Sequence, residues 1–367
     1  MRPDTAWPLN VPVLTDGVVT LRAHAADDVD RIIELSTDPE MLRWTPIFSP
    51  YRRADAQAYA MVMVPRTWDQ GIGMVWAIEY EGRFVGHVDI SGSGSVVDLG
   101  YSLHPDARGK GLMKRAVTLA VDHAFAEGKQ VIRGSCTVGN IASLRVAHAC
   151  GFSMDALAPD RLDLHGTIHD AWLVSRRADD PPGPQTVWRT TAFETERFRM
   201  RPLRESDDER IRETLDDPIS RKYLFERPSP LNLSAATAER TRKWWTAARG
   251  ETCTWVVTEK DDDTYLADIS LFKIDPTTGA EIGFYTHPDA RGSGVLSETM
   301  PAAVRHCFDV LGIRRLTLLA ASSNTGSMKL AQASGFRCYG TQELAALSDG
   351  VYEDLVGFEL LREPFTP

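Results

Sequence analysis

Cysteine is scarce in this chain of 367 residues: Cys136, Cys150, Cys253, Cys307 and Cys338 are the only five, and no two stand at CxxC spacing. That scatter argues against a zinc site or a disulfide framework, so no metal and a reducing, cytoplasmic setting are expected. Long apolar runs are missing too. Nothing approaches the roughly 18 residues that a membrane helix needs, and the opening MRPDTAWPLNVPVLTDG lacks the apolar core of a signal peptide. Positive charge is in deficit, with 41 Lys and Arg against 51 Asp and Glu for a net charge of −10. Sequence-independent binding to nucleic acid rests on neutralising phosphates and is not expected. Cationic partners, amines included, are compatible with such a surface.

What the sequence does contain is itself, twice. His104–Gly111 reads HPDARGKG and His287–Gly294 reads HPDARGSG, identical at seven of eight positions. The repeat extends in both directions. Leu21-Arg22 matches Met200-Arg201, Asp38-Pro39 matches Asp217-Pro218, and Trp76 matches Trp255. DLGYSLHP matches EIGFYTHP, and NIASLRVAHACGF (140–152) matches NTGSMKLAQASGF (324–336). Conserved order with a few loop insertions means a tandem duplication. The stretch RRADDPPGPQTVWRTT (176–191) is rich in proline and charge and reads as an exposed connection. Domains over 1–178 and 193–367, joined by a linker over 179–192, are therefore expected.

Each half has the same expected order. A strand precedes an amphipathic helix that Asp28 or Asp207 would cap. A variable helical region follows at 53–68 or 235–249. Strands come next, near 75–80, 84–90 and 98–103 in the first half. The glycine turn then opens a helix, GLMKRAVTLAVDHAFA, with apolar residues at helical spacing. A strand VIRGSCTV, a helix ASLRVAHACG and a last strand near 171–176 close the unit. This is an α/β (α+β) pattern with a mixed, largely antiparallel sheet flanked by helices.

A strand that runs through Arg-Gly-x-Gly into a helix suits phosphate. Glycine allows positive φ and a close backbone approach, and the first helical turn offers unpaired N–H groups at the positive end of its dipole. The glycine spacing is neither that of a Rossmann fingerprint nor that of a Walker loop. Each half resembles the GNAT acetyltransferase superfamily, whose pyrophosphate loop reads Arg/Gln-x-x-Gly-x-Gly/Ala between a central strand and a helix. Arg108, Gly109, Lys110, Gly111, Leu112 and Met113 match it, as do Arg291, Gly292, Ser293, Gly294, Val295 and Leu296. Both depart at the last position, where the family prefers a small residue and where Met113 and Leu296 could crowd the phosphates. The resemblance is closest to the branch that acetylates protein N-termini, through the opening LRxxxxxD, the E/D-x-G-Y/F before the loop, the N-x-x-S…GF segment and a late G…D.

The resemblance implies two tandem GNAT-like domains and acetyl-CoA as co-substrate. It also implies a splayed strand end at Tyr101–His104 or Phe284–His287, where a backbone N–H such as that of Leu103 would meet the coenzyme. Asp98 and Glu281 are implied as candidate bases, directly or through water, and Ser143 and Ser327 as candidate donors of the proton to the departing thiolate. Asn140 and Asn324 are expected to cap the following helix and are also candidate ligands of the pantetheine arm. His104 and His287, each followed by proline, are read as strand-ending residues. Cys150 has Ser334 as its counterpart, so no cysteine nucleophile is expected and transfer should be direct.

The copies differ in charge. Lys110, Lys114 and Arg115 make the first loop basic, whereas the second has Glu298 at the same helix end and Pro301 within the helix, where it should cost a hydrogen bond. The first half is therefore expected to bind coenzyme better, although Glu281 is the better acid. The expected function is an N-acetyltransferase acting on a primary amine, in a peptide, a protein N-terminus or a peptide natural product. Acetylation of a small-molecule amine and a non-catalytic acetyl-CoA-binding role are the alternatives. A monomer is expected, the duplication standing in for a dimer of single domains.

Overall fold

Apolar side chains run continuously through MVWAI, stand at every second position in CTWVV, and recur at every third or fourth in the helix after each glycine turn, and these patterns fold into sheet and covering helix. The structure is a computed structural model that describes residues 11–189, 191–223, 233–348 and 350–362. The chain divides into two units, Met1–Gln185 and Thr186–Pro367.

The first unit begins with β1 (Leu14–Thr15), β2 (Thr20–Arg22), α1 (Val29–Ser36) and α2 (Pro39–Trp44). Helices α3 (Arg53–Ala58) and α4 (Val64–Asp69) are joined by a π turn at Tyr59–Met63. Strands β3 (Gly73–Tyr80), β4 (Arg83–Ser91) and β5 (Val96–Leu103) lead into α5 (Leu112–Ala126). Then come β6 (Val131–Thr137), α6 (Ile141–Ala149), β7 (Ser153–Leu164) and β8 (Thr167–Arg177). The sheet runs β1-β2-β3-β4-β5-β6-β8-β7, antiparallel except where β5 meets β6. Ala116, Val117, Ala120, Val121 and Ala124 form the buried face of α5, at the spacing one helix face requires. Trp76 lies fully buried beneath, its indole N–H donating to the Pro12 carbonyl at 3.0 Å. Burying an aromatic of that size removes about 200 Å² from water, worth about 5 kcal/mol as an upper bound.

The second unit repeats the order. Strands β9 (Phe193–Glu194) and β10 (Phe198–Pro202) precede α7 (Asp208–Asp216), α8 (Pro218–Lys222) and α9 (Leu233–Ala248). Strands β11 (Cys253–Glu259), β12 (Ala267–Asp275) and β13 (Gly279–Thr286) lead into α10 (Val295–Asp309). Strand β14 (Arg315–Ala321), α11 (Thr325–Ala333), β15 (Arg337–Ser348) and β16 (Val351–Leu361) complete it. Its sheet order, β15-β16-β14-β13-β12-β11-β10-β9, mirrors the first, with β13 and β14 as the parallel pair.

Three expectations need correction. Asp28 and Asp207 do not cap α1 and α7, since each has helical φ/ψ and makes no capping bond to its helix. Asp28 instead accepts the Ala25 N–H at 2.7 Å and both arms of the Arg22 guanidinium at 2.8 and 2.9 Å. Asp207 does the same with Arg204 and Arg201, and the Arg201–Asp207 pair is almost fully buried. The LRxxxxxD pattern thus marks a buried ion pair, which fixes the chain entering the helix onto strand β2 or β10. Second, each unit contains a long strand before the last one, β7 and β15, that had not been expected. Third, α10 continues unbroken through Pro301; the cost is confined to the Ser297 carbonyl, which loses its partner four residues on.

Candidate active site

Strand β5 pairs with β6 only over Val96–Asp98 and Val131–Arg133, yet it continues to Leu103 and β6 to Thr137. Strand β13 likewise pairs with β14 only at Ala280 and Glu281, then runs on to Thr286. Beyond those points the two strands diverge in the middle of a sheet. Their facing N–H and C=O groups are left for another partner, and an extended ligand fits that requirement.

The phosphate loop follows. His104 ends β5: its N–H donates to the Val85 carbonyl at 2.8 Å, and its buried ring lies between Glu34 at 3.0 Å and Asp106 at 2.8 Å. His287 repeats the role with Glu213 at 2.9 Å. These histidines hold the strand end to α1 and α7, as expected, and neither is placed as a base. Gly111 and Gly294 adopt φ of 73° and 82° at the start of α5 and α10, a region where only glycine is unstrained. Gly109 and Gly292, both at φ 76°, have nothing within 4 Å of where a Cβ would stand. Space for a polyanion therefore lies directly above the helix N-terminus. Met113 does not crowd it, because its side chain is buried in the core beside Leu112. Val295 is buried likewise, and both it and Leu296 line the cleft.

The loop arginines are already engaged. Arg108 donates to Asp38 at 2.6 Å and to the Leu103 carbonyl at 3.2 Å, and Arg291 donates to Asp217 at 2.5 Å and Ser220 at 2.9 Å. Asp38 and Asp217 also cap α2 and α8 through the Met41 and Ser220 N–H groups. Each arginine thus fastens its loop to a helix cap.

The charge difference between the copies also reads differently in three dimensions. Arg115 is paired with Asp16 at 2.6 Å. At the matching helix position, Glu298 accepts from the Thr195 hydroxyl at 2.7 Å, the Arg197 N–H at 2.9 Å and the Arg197 guanidinium at 2.7 Å. The Arg197 backbone bond and the Thr195 hydroxyl hold the Glu298 carboxyl down to about 2. In both units this helix position is thus ion-paired to the turn between the first two strands, with the signs exchanged and the partner two positions along. Arg197 also reaches the Ser293 carbonyl at 3.4 Å, which sets a cation beside the second loop. Arg197 thus offsets Glu298 beside the second loop, while Lys110 and Lys114 remain exposed beside the first.

Asn140 and Asn324 cap α6 and α11 as expected, each accepting the N–H of the serine three residues on at 3.1 Å. Ser327 lies on the cleft beside the splayed strands. In the second unit everything converges: a cleft of about 720 Å³ is lined by Glu281, Gly292, Gly294, Leu296, Asn324 and Ser327, among others. In the first unit Tyr101 spans the gap, its hydroxyl donating to the Ser143 carbonyl at 2.9 Å. Burial raises the Tyr101 phenol well above its usual range, so it stays a donor. Phe284 stands at the matching place and has no hydroxyl to make such a tie. The acids differ similarly. Asp98 is more than half exposed and pairs with Arg133 at 3.0 Å, whereas Glu281 is 24% exposed and pairs with Lys273 at 2.9 Å.

Burial pushes Cys136 and Cys307 up to about 12 and Cys150 to about 11, so none is a thiolate at neutral pH. Arg197 and Lys273 had not been singled out from the sequence, and Tyr101 only as part of the splayed strand end. The exchange of Arg115 for Glu298 was the one visible trace of the Arg197 pair.

The acetyltransferase (GNAT) domain profile matches residues 19–153 and again 197–337. The chain belongs to the GNAT acetyltransferase family. GNAT enzymes take acetyl-CoA as acyl donor, and the loop, splay and cleft described above suit it. Among curated proteins, the chain is 28% identical over 95 residues to Bacillus subtilis YjcK, named as an N-acetyltransferase, covering 25% of this chain and 52% of that protein. It is 26% identical over 102 residues to B. subtilis YdaF, named for ribosomal N-acetylation, covering 28% of this chain and 56% of that one. The chain thus spans about half the length of the curated relatives it matches. The structure of ribosomal-protein-S5-alanine acetyltransferase from Vibrio fischeri aligns with a TM-score of 0.44 at 16% identity, over 48% of this chain and 100% of that one.

Proposed function

We propose that this GNAT chain is an acetyl-CoA-dependent N-acetyltransferase whose chemistry resides in the second unit and whose acceptor is the α-amine of a peptide or protein. The observation that carries the placement is the convergence of Glu281, Asn324, Ser327 and the Gly292–Gly294 loop on one cleft at the strand splay. The loop N–H groups hold the coenzyme phosphates, and Arg197 neutralises Glu298 beside them. Glu281, close to the point where β13 and β14 part, takes the proton of the acceptor ammonium. The free amine attacks the thioester carbonyl, which is polarised by a backbone N–H of β13. The Ser327 hydroxyl supplies the proton to the departing thiolate. The peptide acceptor is supported by the resemblance to the N-terminal branch and by the name of YdaF. The first unit, with Tyr101 tied across its splay and Asp98 facing solvent, serves as the degenerate copy.

The test is thiol release from acetyl-CoA with a panel of short peptides bearing free N-termini, set beside a panel of amino sugars. Peptides should be acetylated, and Glu281→Gln and Ser327→Ala should each lower turnover about a hundredfold with little change in coenzyme affinity. Ser143→Ala should leave the rate unchanged. Loss of activity in Ser143→Ala with an active Ser327→Ala would move the chemistry to the first unit.

A further inference from the structure

Lys273 has an unusual backbone. It is one of five non-glycine residues at positive φ among the described residues, at 49°, and it lies where the β12–β13 register slips between Phe272 and Asp275. Phe272 stands directly opposite Glu281, so those two side chains share the face that lines the cleft. In a regular strand the next residue would point to the other face. The left-handed residue in the bulge turns Lys273 back instead, and its Nζ meets Oε2 of Glu281 at 2.9 Å. A non-glycine residue held in this region costs roughly 1 kcal/mol or more and recurs at functional sites.

The result is a primary amine within proton-transfer distance of the carboxylate proposed as the base. Its stem is flexible, and 77% of the side chain is exposed. The first unit treats its acid differently. Its position equivalent to Lys273 is Gly92, which has no side chain, and Asp98 is paired with Arg133 from the neighbouring strand. A guanidinium there supplies charge but no nucleophilic nitrogen.

We propose that Lys273 is itself an acceptor, acetylated in cis by the site whose base it contacts. The step follows from the reading of Glu281 as base and rests on it. The ammonium of Lys273 gives a proton to the Glu281 carboxylate. The neutral Nζ attacks the thioester carbon of acetyl-CoA, a C–N bond forms, the C–S bond breaks, and the thiolate leaves as coenzyme A on taking up a proton. The product is neutral acetyl-lysine, coenzyme A and one released proton. Because the ion pair is then gone, Glu281 is freed for the amine of an external acceptor.

The purified full chain is incubated with acetyl-CoA and no acceptor, and its lysines are read by peptide mass spectrometry. Calorimetry of acetyl-CoA binding is run on the same samples. Lys260, which is ion-paired to Glu194 outside the cleft, is the internal control. Lys273 should be acetylated at least about tenfold faster than Lys260, with a first-order rate independent of protein concentration, and Glu281→Gln should abolish the excess while still binding acetyl-CoA. If acetyl-CoA binds and Lys273 reacts no faster than Lys260, or equally in Glu281→Gln, the proposal is wrong while the coenzyme site stands. If acetyl-CoA does not bind at all, the reading beneath it falls as well. A Lys273→Arg chain, which keeps the charge without the acceptor nitrogen, should show no adduct at this position and should acetylate a peptide slowly throughout, because Glu281 stays ion-paired.

Discussion

The Tyr101 hydroxyl donates to the Ser143 carbonyl at 2.9 Å and so ties β5 to α6 across the gap between diverging strands. The matching residues, Phe284 and Ser327, both line the cleft of the second unit. One oxygen atom thus separates the two copies at the place where a pantetheine arm would enter. Phe284→Tyr should rebuild the tie in the second unit and weaken acetyl-CoA binding by about tenfold, or about 1.4 kcal/mol. The reciprocal Tyr101→Phe should cost about 1 kcal/mol of stability. Calorimetry and denaturant titration measure the two. Unchanged coenzyme affinity in Phe284→Tyr would show that the gap is not the coenzyme's path.

Arg197 and Glu298 form the sign-reversed version of Asp16 and Arg115. Arg197→Ala leaves a carboxylate unpaired near the N-terminal turn of α10, and acetyl-CoA affinity should fall about fivefold at low salt. Arg197→Ala combined with Glu298→Ala should recover most of the loss. If the double variant binds as weakly as the single one, Arg197 contacts the phosphates directly rather than neutralising Glu298.

The duplication itself was legible because charged and glycine residues at turns kept their spacing, and with it came the strand–loop–helix order of both units. The caps at Asn140 and Asn324 were legible for the same reason, since a cap depends on four consecutive residues. What escaped were relations between distant positions. Asp28 resembles a helix cap in sequence, and only the nearby Arg22 guanidinium shows what its carboxylate binds. Glu298 reads as an adverse charge until Arg197, about a hundred residues earlier, is seen to pair with it. Strands β7 and β15 carry many exposed residues on the outer edge of their sheets, so the alternation that marks a buried strand is weak there.

His24 lies 1% exposed among the rings of Tyr59, Phe84 and His87, and neither of its ring nitrogens has a hydrogen-bond partner. Burial lowers its pKa well below the ordinary 6.5. The unfolded chain therefore binds a proton that the folded unit refuses, and stability should fall as pH drops below about 6.5. Leu203 occupies the matching place in the other unit. His24→Leu should flatten the decline in melting temperature between pH 7 and pH 5, as read by calorimetry. An identical decline in wild type and variant would contradict this assignment.

The central claim is that the second unit holds the working coenzyme site, and a calorimetric titration with acetyl-CoA of the wild type and of two loop variants, Gly111→Val and Gly294→Val, tests it most directly. Valine strains the loop backbone at either position. One equivalent bound by the wild type, kept in Gly111→Val and lost in Gly294→Val, is the predicted result. One equivalent lost in Gly111→Val and kept in Gly294→Val would contradict the account and return the chemistry to the first unit.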